Sequence, residues 1–349
     1  MGDHAKGGSG TWTGTIVNGR AEPDPEVARL SEGEQLAAGA MVGARGGGNF
    51  CTGTLVGDNA VLTAAHCVRG RPARDIAFAI GRDAADPVHV FRFSEIRVNP
   101  RYGGGEANDN ALCILAGLAS QEYPDVTPIP ANAEPLDGLS PAFVGRRVQN
   151  AGYGSTTPGG GGGNTLRWWT VEDVVSLEAQ TYDVDGGGVT GVCFGDSGGP
   201  SMLAFPDGSV RVVGTLSGGD SSCVDVDTFV RTDASAEWFA SLVRPAPECA
   251  WGTVGRCDGE VAQWCVGTSA SDRRTQDCAA SGAVCGADAD GNHRCIAGRR
   301  CPADLTGQGR CEAGDVAVWC EDGFVRRRHC RPCGQVCRWI DAELGNYCG

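Results

Sequence analysis

Lysine is almost missing from this chain: Lys6 is the only one, and arginine carries every other fixed positive charge. The bias points to a GC-rich genome and says nothing about function. Basic charge as a whole is scarce, with Lys+Arg 29 against Asp+Glu 43 and a net charge of -14. That balance argues against a nucleic-acid partner. Long hydrophobic runs are absent too. Nothing approaches the roughly 18 apolar residues of a membrane span, and the opening MGDHAKGGSGTWTGT has no apolar core of the kind a secretory leader carries. Cysteine is sparse up to residue 248, where only Cys51, Cys67, Cys113, Cys193 and Cys223 occur, yet the other 13 of the 18 crowd into the last 101 residues. Such density implies disulfides and an oxidising compartment. The expectation is a secreted protein, although no leader is visible in this sequence.

At 349 residues the chain has room for two domains. From Ile16 to about Val243, short apolar runs such as DIAFAIG and SVRVVGTLSGG alternate with Gly, Pro and Asp turns. Many short strands in a segment of this length argue for an all-β sandwich or barrel. TPGGGGGN (157–164) reads as a mobile surface loop, TDASAEWFASLV (232–243) as a closing helix, and RPAPE as a stiff linker. The tail, 249–349, repeats itself: CDGEVAQWC (257–265) returns as CEAGDVAVWC (311–320), and CAASGAVC (278–285) as CRPCGQVC (330–337). Copies at 249–295 and 301–348 each carry six cysteines in common, enough for three bridges apiece, with Cys333 left over. Modules this small bury little core, so cross-links of roughly 2–4 kcal/mol each must supply much of their stability. Zinc is the competing reading, but Cys330, Cys333 and Cys337 form the only close cluster and no His/Cys quartet repeats. Neither a metal nor another cofactor is expected.

Three segments carry residues suited to nucleophilic chemistry: LTAAHC (62–67), NDNAL (108–112) and FGDSGGP (194–200). A serine hydroxyl is a poor nucleophile until a histidine takes its proton and an acid orients that histidine. Alone, His66 could be a satisfied buried histidine, Asp109 a turn residue and Ser197 part of a Gly-rich turn. Together, in the order His, Asp, Ser, they point to one catalytic unit. Only five histidines occur in the whole chain, which makes one at a strand end beside a cysteine informative.

Over about residues 16–243 the chain resembles the trypsin/chymotrypsin-like serine proteases. CTGTLVGDNAVLTAAHC resembles the family's disulfide-closed segment around the histidine, DNAL the segment bearing the aspartate, and VCFGDSGGP the nucleophile loop. Asn110 stands where an aliphatic residue is commoner. The resemblance implies two packed six-stranded β-barrels with the triad between them, in a domain spanning 16–244. It implies His66 as general base and then acid, Asp109 as the group fixing its tautomer, and Ser197 as the nucleophile. The backbone N–H groups of Gly195 and Ser197 would form the oxyanion hole. Disulfides Cys51–Cys67 and Cys193–Cys223 follow from the same resemblance, as do a pocket floor at Gly191 and Val192 and substrate contacts at Ser217 and Gly219.

GVCFGDSG resembles neutrophil elastase and its close relatives, so Val192 would narrow the pocket toward small aliphatic P1 residues. Hydrophobic pockets discriminate by about 1–3 kcal/mol per methylene, which gives a preference and not a strict rule. Asp227 complicates this. Facing the pocket it would favour Arg or Lys at P1; covered by Val192 it is a buried, hydrogen-bonded carboxylate, the reading preferred here. GTIVNGRAE resembles the site at which such zymogens are cut, with 1–15 as a propeptide or extension. Cleavage between Thr15 and Ile16 would free an ammonium at Ile16 able to pair with Asp196. The family usually has Arg or Lys before the cut, so Thr15 excludes a trypsin-like activator and fits self-cleavage by an enzyme preferring small P1 residues.

The sequence therefore sets out a secreted serine endopeptidase acting on protein or peptide substrates. The alternatives are trypsin-like selectivity through Asp227 and a non-catalytic, zymogen-like binding protein. The tail is expected to be a spacer or a module binding substrate, a cell surface or an anionic polysaccharide through RRRHCR (326–331). Cys113 is expected either as a buried thiol or bonded to Cys333.

Overall fold

A computed structural model of the chain describes residues 16–157, 163–245, 254–266, 273–281, 283–287, 292–297, 301–313, 315–321, 324–331, 335–341 and 344–349. Short runs of Val, Ile, Thr and Phe, punctuated by Gly and Asn-containing turns, form twelve strands that close into two six-stranded antiparallel barrels. The first contains β1 (Ala38–Gly43), β2 (Asn49–Gly57), β3 (Ala60–Thr63), β4 (Ile76–Ile80), β5 (His89–Val98) and β6 (Ala111–Leu115), in the spatial order β1-β2-β3-β6-β5-β4. The second contains β7 (Arg147–Gly152), β8 (Trp168–Leu177), β9 (Thr181–Asp185), β10 (Pro200–Ala204), β11 (Val210–Gly219) and β12 (Val226–Arg231), in the order β10-β11-β12-β9-β8-β7. Closure leaves neither sheet with a free edge.

The first barrel is filled by Met41, Leu55, Leu62, Phe78, Phe91 and Leu112, and the same apolar cluster runs on into Ala151, Trp169, Met202 and Val212 of the second barrel. Phe143, Val148, Tyr182, Val184, Val213 and Phe229 fill the second. Loops from both barrels meet at this shared seam. A one-turn helix, Ala65–Val68, follows β3; the β5–β6 connection leads into Asp109; the β9–β10 connection carries residues 186–199; and β11 ends at Ser217–Gly219.

The helix expected over 232–243 is shorter: a 3-10 turn at Asp233–Ser235 leads into an α-helix at Ala236–Ala240. Thr232 does not cap it. Its hydroxyl donates instead to Asn132 O and Val212 O, binding the chain to the barrel where a cap was expected. A helix over Glu32–Ala37, unexpected from periodicity, begins at a capping box in which the Ser31 hydroxyl accepts from the Glu34 amide and Glu34 accepts from the Ser31 amide. The Gly-rich stretch at 157–164 and the linker lie largely outside the described residues.

The tail forms small sheets in two similar units. Strands Arg256–Asp258, Val261–Cys265 and Arg273–Asp277 correspond to Arg310–Glu312, Val316–Glu321 and Phe324–His329, and each unit adds a two-stranded ribbon. Bridges Cys257–Cys285 and Cys278–Cys295 in the first unit match Cys311–Cys337 and Cys330–Cys348 in the second, which also has Cys301–Cys320. Cys330 and Cys337 are thus sulfurs of disulfides, not thiolates for a metal. The arginines of RRRHCR are ion-paired: Arg326 with Glu260, Arg327 with Glu312, Arg328 with Glu32 and Arg331 with Asp315. That pairing leaves less of the run to meet an anionic polymer. The tail also touches the barrel segment, where Gln335 Nε2 donates to Glu22 Oε1 at 3.0 Å. Cys113 is a free thiol, fully buried in the first barrel, and burial pushes its pKa upward. Cys333 lies outside the described residues.

Candidate active site

His66 stands on the one-turn helix that β3 feeds, and Asp109 leads into β6, the strand paired with β3, where Thr63 lies opposite Ala111. The Asp109 carboxylate is 2% exposed and binds His66 twice. Oδ1 accepts the His66 amide at 2.8 Å, and Oδ2 lies 2.6 Å from His66 Nδ1. Oδ2 also accepts the Ser217 hydroxyl at 2.7 Å, which ties β11 of the second barrel to the same acid. Burial, together with the nearby negative charge of Asp109, raises the phenol pKa of Tyr102. A carboxylate held in this way fixes which ring nitrogen of the imidazole carries the proton and leaves Nε2 to the cleft.

Ser197 lies on the β9–β10 loop, which is fastened to both barrels. Its carbonyl accepts the Thr52 amide of β2 at 2.9 Å, and the Gly198 amide donates to Leu216 O of β11 at 2.8 Å. The Cys51–Cys67 disulfide runs beside it, with Cys67 Sγ 3.7 Å from Ser197 O. Among the described residues no hydrogen bond joins the Ser197 hydroxyl to His66. The sulfurs of Cys51 and Cys67 and a ring nitrogen of His66 come within 4.8 Å of one another, but sulfurs joined in a disulfide are poor metal ligands.

The loop's backbone amides divide sharply. Asp196 N donates to Cys193 O, Gly198 N to Leu216 O and Gly199 N to Asp196 O. Among the described residues, the amides of Gly195 and Ser197 have no acceptor. Gly195 reaches this arrangement at φ +97°, a backbone state that costs a side-chain-bearing residue strain. Two N–H groups without a described acceptor on one tight turn are the kind of donor that can meet a developing oxyanion.

Asp196 points inward and is fully buried, where its oxygens accept the amides of Gly154 and Cys193 at 2.7 and 2.8 Å. Burial outweighs those two bonds and pushes its pKa up to about 7. Glycine is needed opposite it, because a Cβ on Gly152 would overlap Asp196 Oδ1. Ile16 is fully buried too, and the segment after it lies along the loop's other end: Val17 bridges Gly191, and the Thr190 hydroxyl donates to Val17 O at 2.7 Å. Thr15 lies outside the described residues.

Cys193 and Cys223 are bonded and join the loop to the turn before β12. Val192 is buried, and beneath it Asp227 is 2% exposed and accepts the Val192 amide. A Cβ on Gly219 would overlap Asp227 Oδ1, and one on Gly191 would lie 3.2 Å from Oδ2. Gly191, Val192, Gly219 and Asp227 therefore form one cluster, with the carboxylate behind the two glycines. Two acids here carried no sequence signal. Glu106, exposed on the loop before Asp109, lies over Gly218, and Glu172 of β8 is buried within reach of the Asp227 charge.

A family model described as trypsin matches residues 31–239. Neutrophil elastase of Mus musculus is 26% identical over 212 residues, which cover 57% of this chain and 76% of that protein. Granzyme M of Rattus norvegicus is 29% identical over 201 residues, covering 51% and 72% respectively. A trypsin of Saccharopolyspora erythraea is 29% identical over 190 residues, covering 50% and 77%.

Proposed function

The chain belongs to the trypsin family, and from that premise we propose that it is a secreted serine endopeptidase with His66, Asp109 and Ser197 as its catalytic unit. The observation that carries the reading is the buried Asp109 carboxylate, which takes the amide and Nδ1 of His66 and the hydroxyl of Ser217 beside the loop bearing Ser197. His66 Nε2 takes the proton of Ser197 as Oγ attacks the substrate carbonyl. The free amides of Gly195 and Ser197 hold the oxyanion, and His66 then delivers the proton to the leaving amine. Water enters by the same relay and releases the acyl group.

Val192 and the Cys193–Cys223 bridge wall a narrow pocket that takes small aliphatic P1 side chains, with Ser217 and Gly219 along the bound chain. The disulfides of both domains agree with an extracellular setting. Residues 16–244 form the protease domain, preceded by a propeptide and followed by the two cysteine-rich repeats, which act as a spacer or as a binding module. Cleavage after Thr15 places the Ile16 ammonium against Asp196, whose buried carboxylate has only two amides to stabilise its charge. The enzyme makes this cut itself, since Thr15 suits its own pocket. A Ser197→Ala preparation that still matured to Ile16 alone would rule that out.

Labelling with a fluorophosphonate, followed by rates on matched peptide anilides with Val, Phe or Arg at P1, tests the reading. We expect one label per chain, lost in Ser197→Ala, and Val ahead of Phe and Arg near neutral pH. A matured chain that takes no label is not a serine hydrolase.

A further inference from the structure

The interior of the second barrel holds two acids where apolar packing would be expected. Glu172 on β8 and Asp227 on β12 are each 2% exposed, and they lie near enough for the charge of Asp227 to act on Glu172. Asn150 Nδ2 on β7 donates to Glu172 Oε2 at 2.5 Å, and the Val192 amide donates to Asp227. Glu172 Oε1 and Asp227 Oδ2 receive no donor from any described residue. Among the described residues no cation faces the pair: the charged neighbours are the carboxylates of Asp196 and Asp220, and the Tyr182 hydroxyl is the other titratable group nearby. Two carboxylates this close cannot both ionise in a buried site, so a proton between them is the donor the orphaned oxygens require.

The pair is not remote from the cleft. Asp227 lies directly behind Gly191 and Gly219, the two glycines that floor and flank the pocket. We propose that Glu172 sets the P1 preference through the protons it shares with Asp227: doubly protonated, the pair leaves the pocket floor uncharged and favours neutral side chains. The proposal rests on the protease reading above and deepens it. Burial, and for Glu172 next the charge of Asp227, raises both carboxyl pKa values, so both are protonated in acid. As pH rises through the pair's first ionisation the floor gains one negative charge. A cationic P1 side chain then draws that charge onto Asp227 while Glu172 keeps the remaining proton. Preference for arginine over valine should therefore rise with pH.

Replacing Glu172 with glutamine tests the coupling. The amide would accept from Asn150 through its oxygen and donate to Asp227 through its nitrogen, which holds Asp227 ionised at all working pH values. The ratio of kcat/KM for arginine and valine anilides is followed across the neutral range, where pH effects common to both substrates cancel. In the wild type the ratio should climb by about tenfold or more, the scale of one charge interaction in a low-dielectric site. Glu172→Gln should show the high ratio at every pH, and Asp227→Asn the low one. Calorimetric binding of benzamidine to Ser197→Ala protein that begins at Ile16 supplies a readout without turnover and should tighten with pH by a similar factor. A wild-type ratio and a benzamidine affinity that are both flat with pH overturn the proposal, even if Glu172→Gln fails to fold. Failure of wild-type fluorophosphonate labelling would instead remove the protease reading and leave the benzamidine result to judge the pair.

Discussion

One carboxylate does most to organise the cleft. Asp109 receives three donors from two barrels, so its orientation depends on both. Asparagine at this position would set an N–H₂ group against His66 Nδ1, invert the tautomer, and lower kcat by about 10⁴ while leaving the fold intact. Ser217→Ala removes one charge-assisted hydrogen bond, worth about 1.5–3 kcal/mol, and should lower kcat/KM by about 10- to 100-fold. Steady-state rates on the valine anilide check both; a Ser217→Ala enzyme as fast as the wild type would show that His66 alone orients the acid. His66, Asp109 and Ser197 stood out in the sequence because each sits in a short local pattern whose chemistry makes sense only with the others. Ser217 was expected as a substrate contact and not as a donor to Asp109, since that bond depends on how β11 meets a loop of the other barrel. Glu172 was not legible at all. An acid in the middle of WWTVEDVVSL reads as a solvent-facing strand residue, and only barrel closure through β8, β9 and β12 turns it inward toward Asp227.

At the level of elements, the cleft depends on two backbone segments pressed together, 152–154 and 193–199. Gly154 lies with its missing Cβ position 2.5 Å from Asp196 N, and a Cβ on Gly195 would in turn lie 2.9 Å from Gly154 Cα. Alanine at Gly154 must push the loop away, and overpacking of this kind costs about 1–3 kcal/mol. Because the loop also holds the free amides of Gly195 and Ser197, Gly154→Ala should lose activity far beyond its loss of thermal stability. Comparing the melting temperature with the rate of fluorophosphonate labelling separates the two effects; a variant that melts lower but labels normally would show that the loop tolerates the shift. The strands were legible from runs such as DIAFAIG because β-branched and aromatic residues bounded by turns leave few other choices. The closing helix came out short since Thr232 spends its hydroxyl on the barrel, a tertiary bond with no local signal. Glycines 152 and 154 carried no signal in the sequence, because nothing local tells which residue will lie opposite.

For the whole molecule, the repeat in the tail was legible as a spacing, but its bridge pattern was not, because six cysteines permit fifteen pairings and only the folded ribbons choose among them. The most global consequence concerns acids folded into a chain that already carries a net charge of -14. In the uncut chain Asp196 is buried, has only two amide donors, and titrates at about 7, well above the 3.8 of a free side chain. Between those values the folded chain holds a proton that the unfolded chain has released. Stability from this group is full below about pH 4 and is lost as pH rises toward 7, at up to about 1.4 kcal/mol per pH unit. The Glu172–Asp227 pair, also raised, adds a slope of the same sign in every form of the protein. Asp207 and Asp220 are lowered and would act the opposite way, but they are exposed and screened. An Ile16 ammonium beside Asp196 would favour its ionised form and abolish only the Asp196 share. Uncut Ser197→Ala protein should therefore lose melting temperature between about pH 5 and about pH 7 more steeply than the chain beginning at Ile16. Adding Asp196→Asn to the uncut protein should bring its slope down to that of the mature chain. Equal slopes before and after cleavage would mean that the new terminus does not reach Asp196, and the activation step proposed for Thr15 and Ile16 would fall with it.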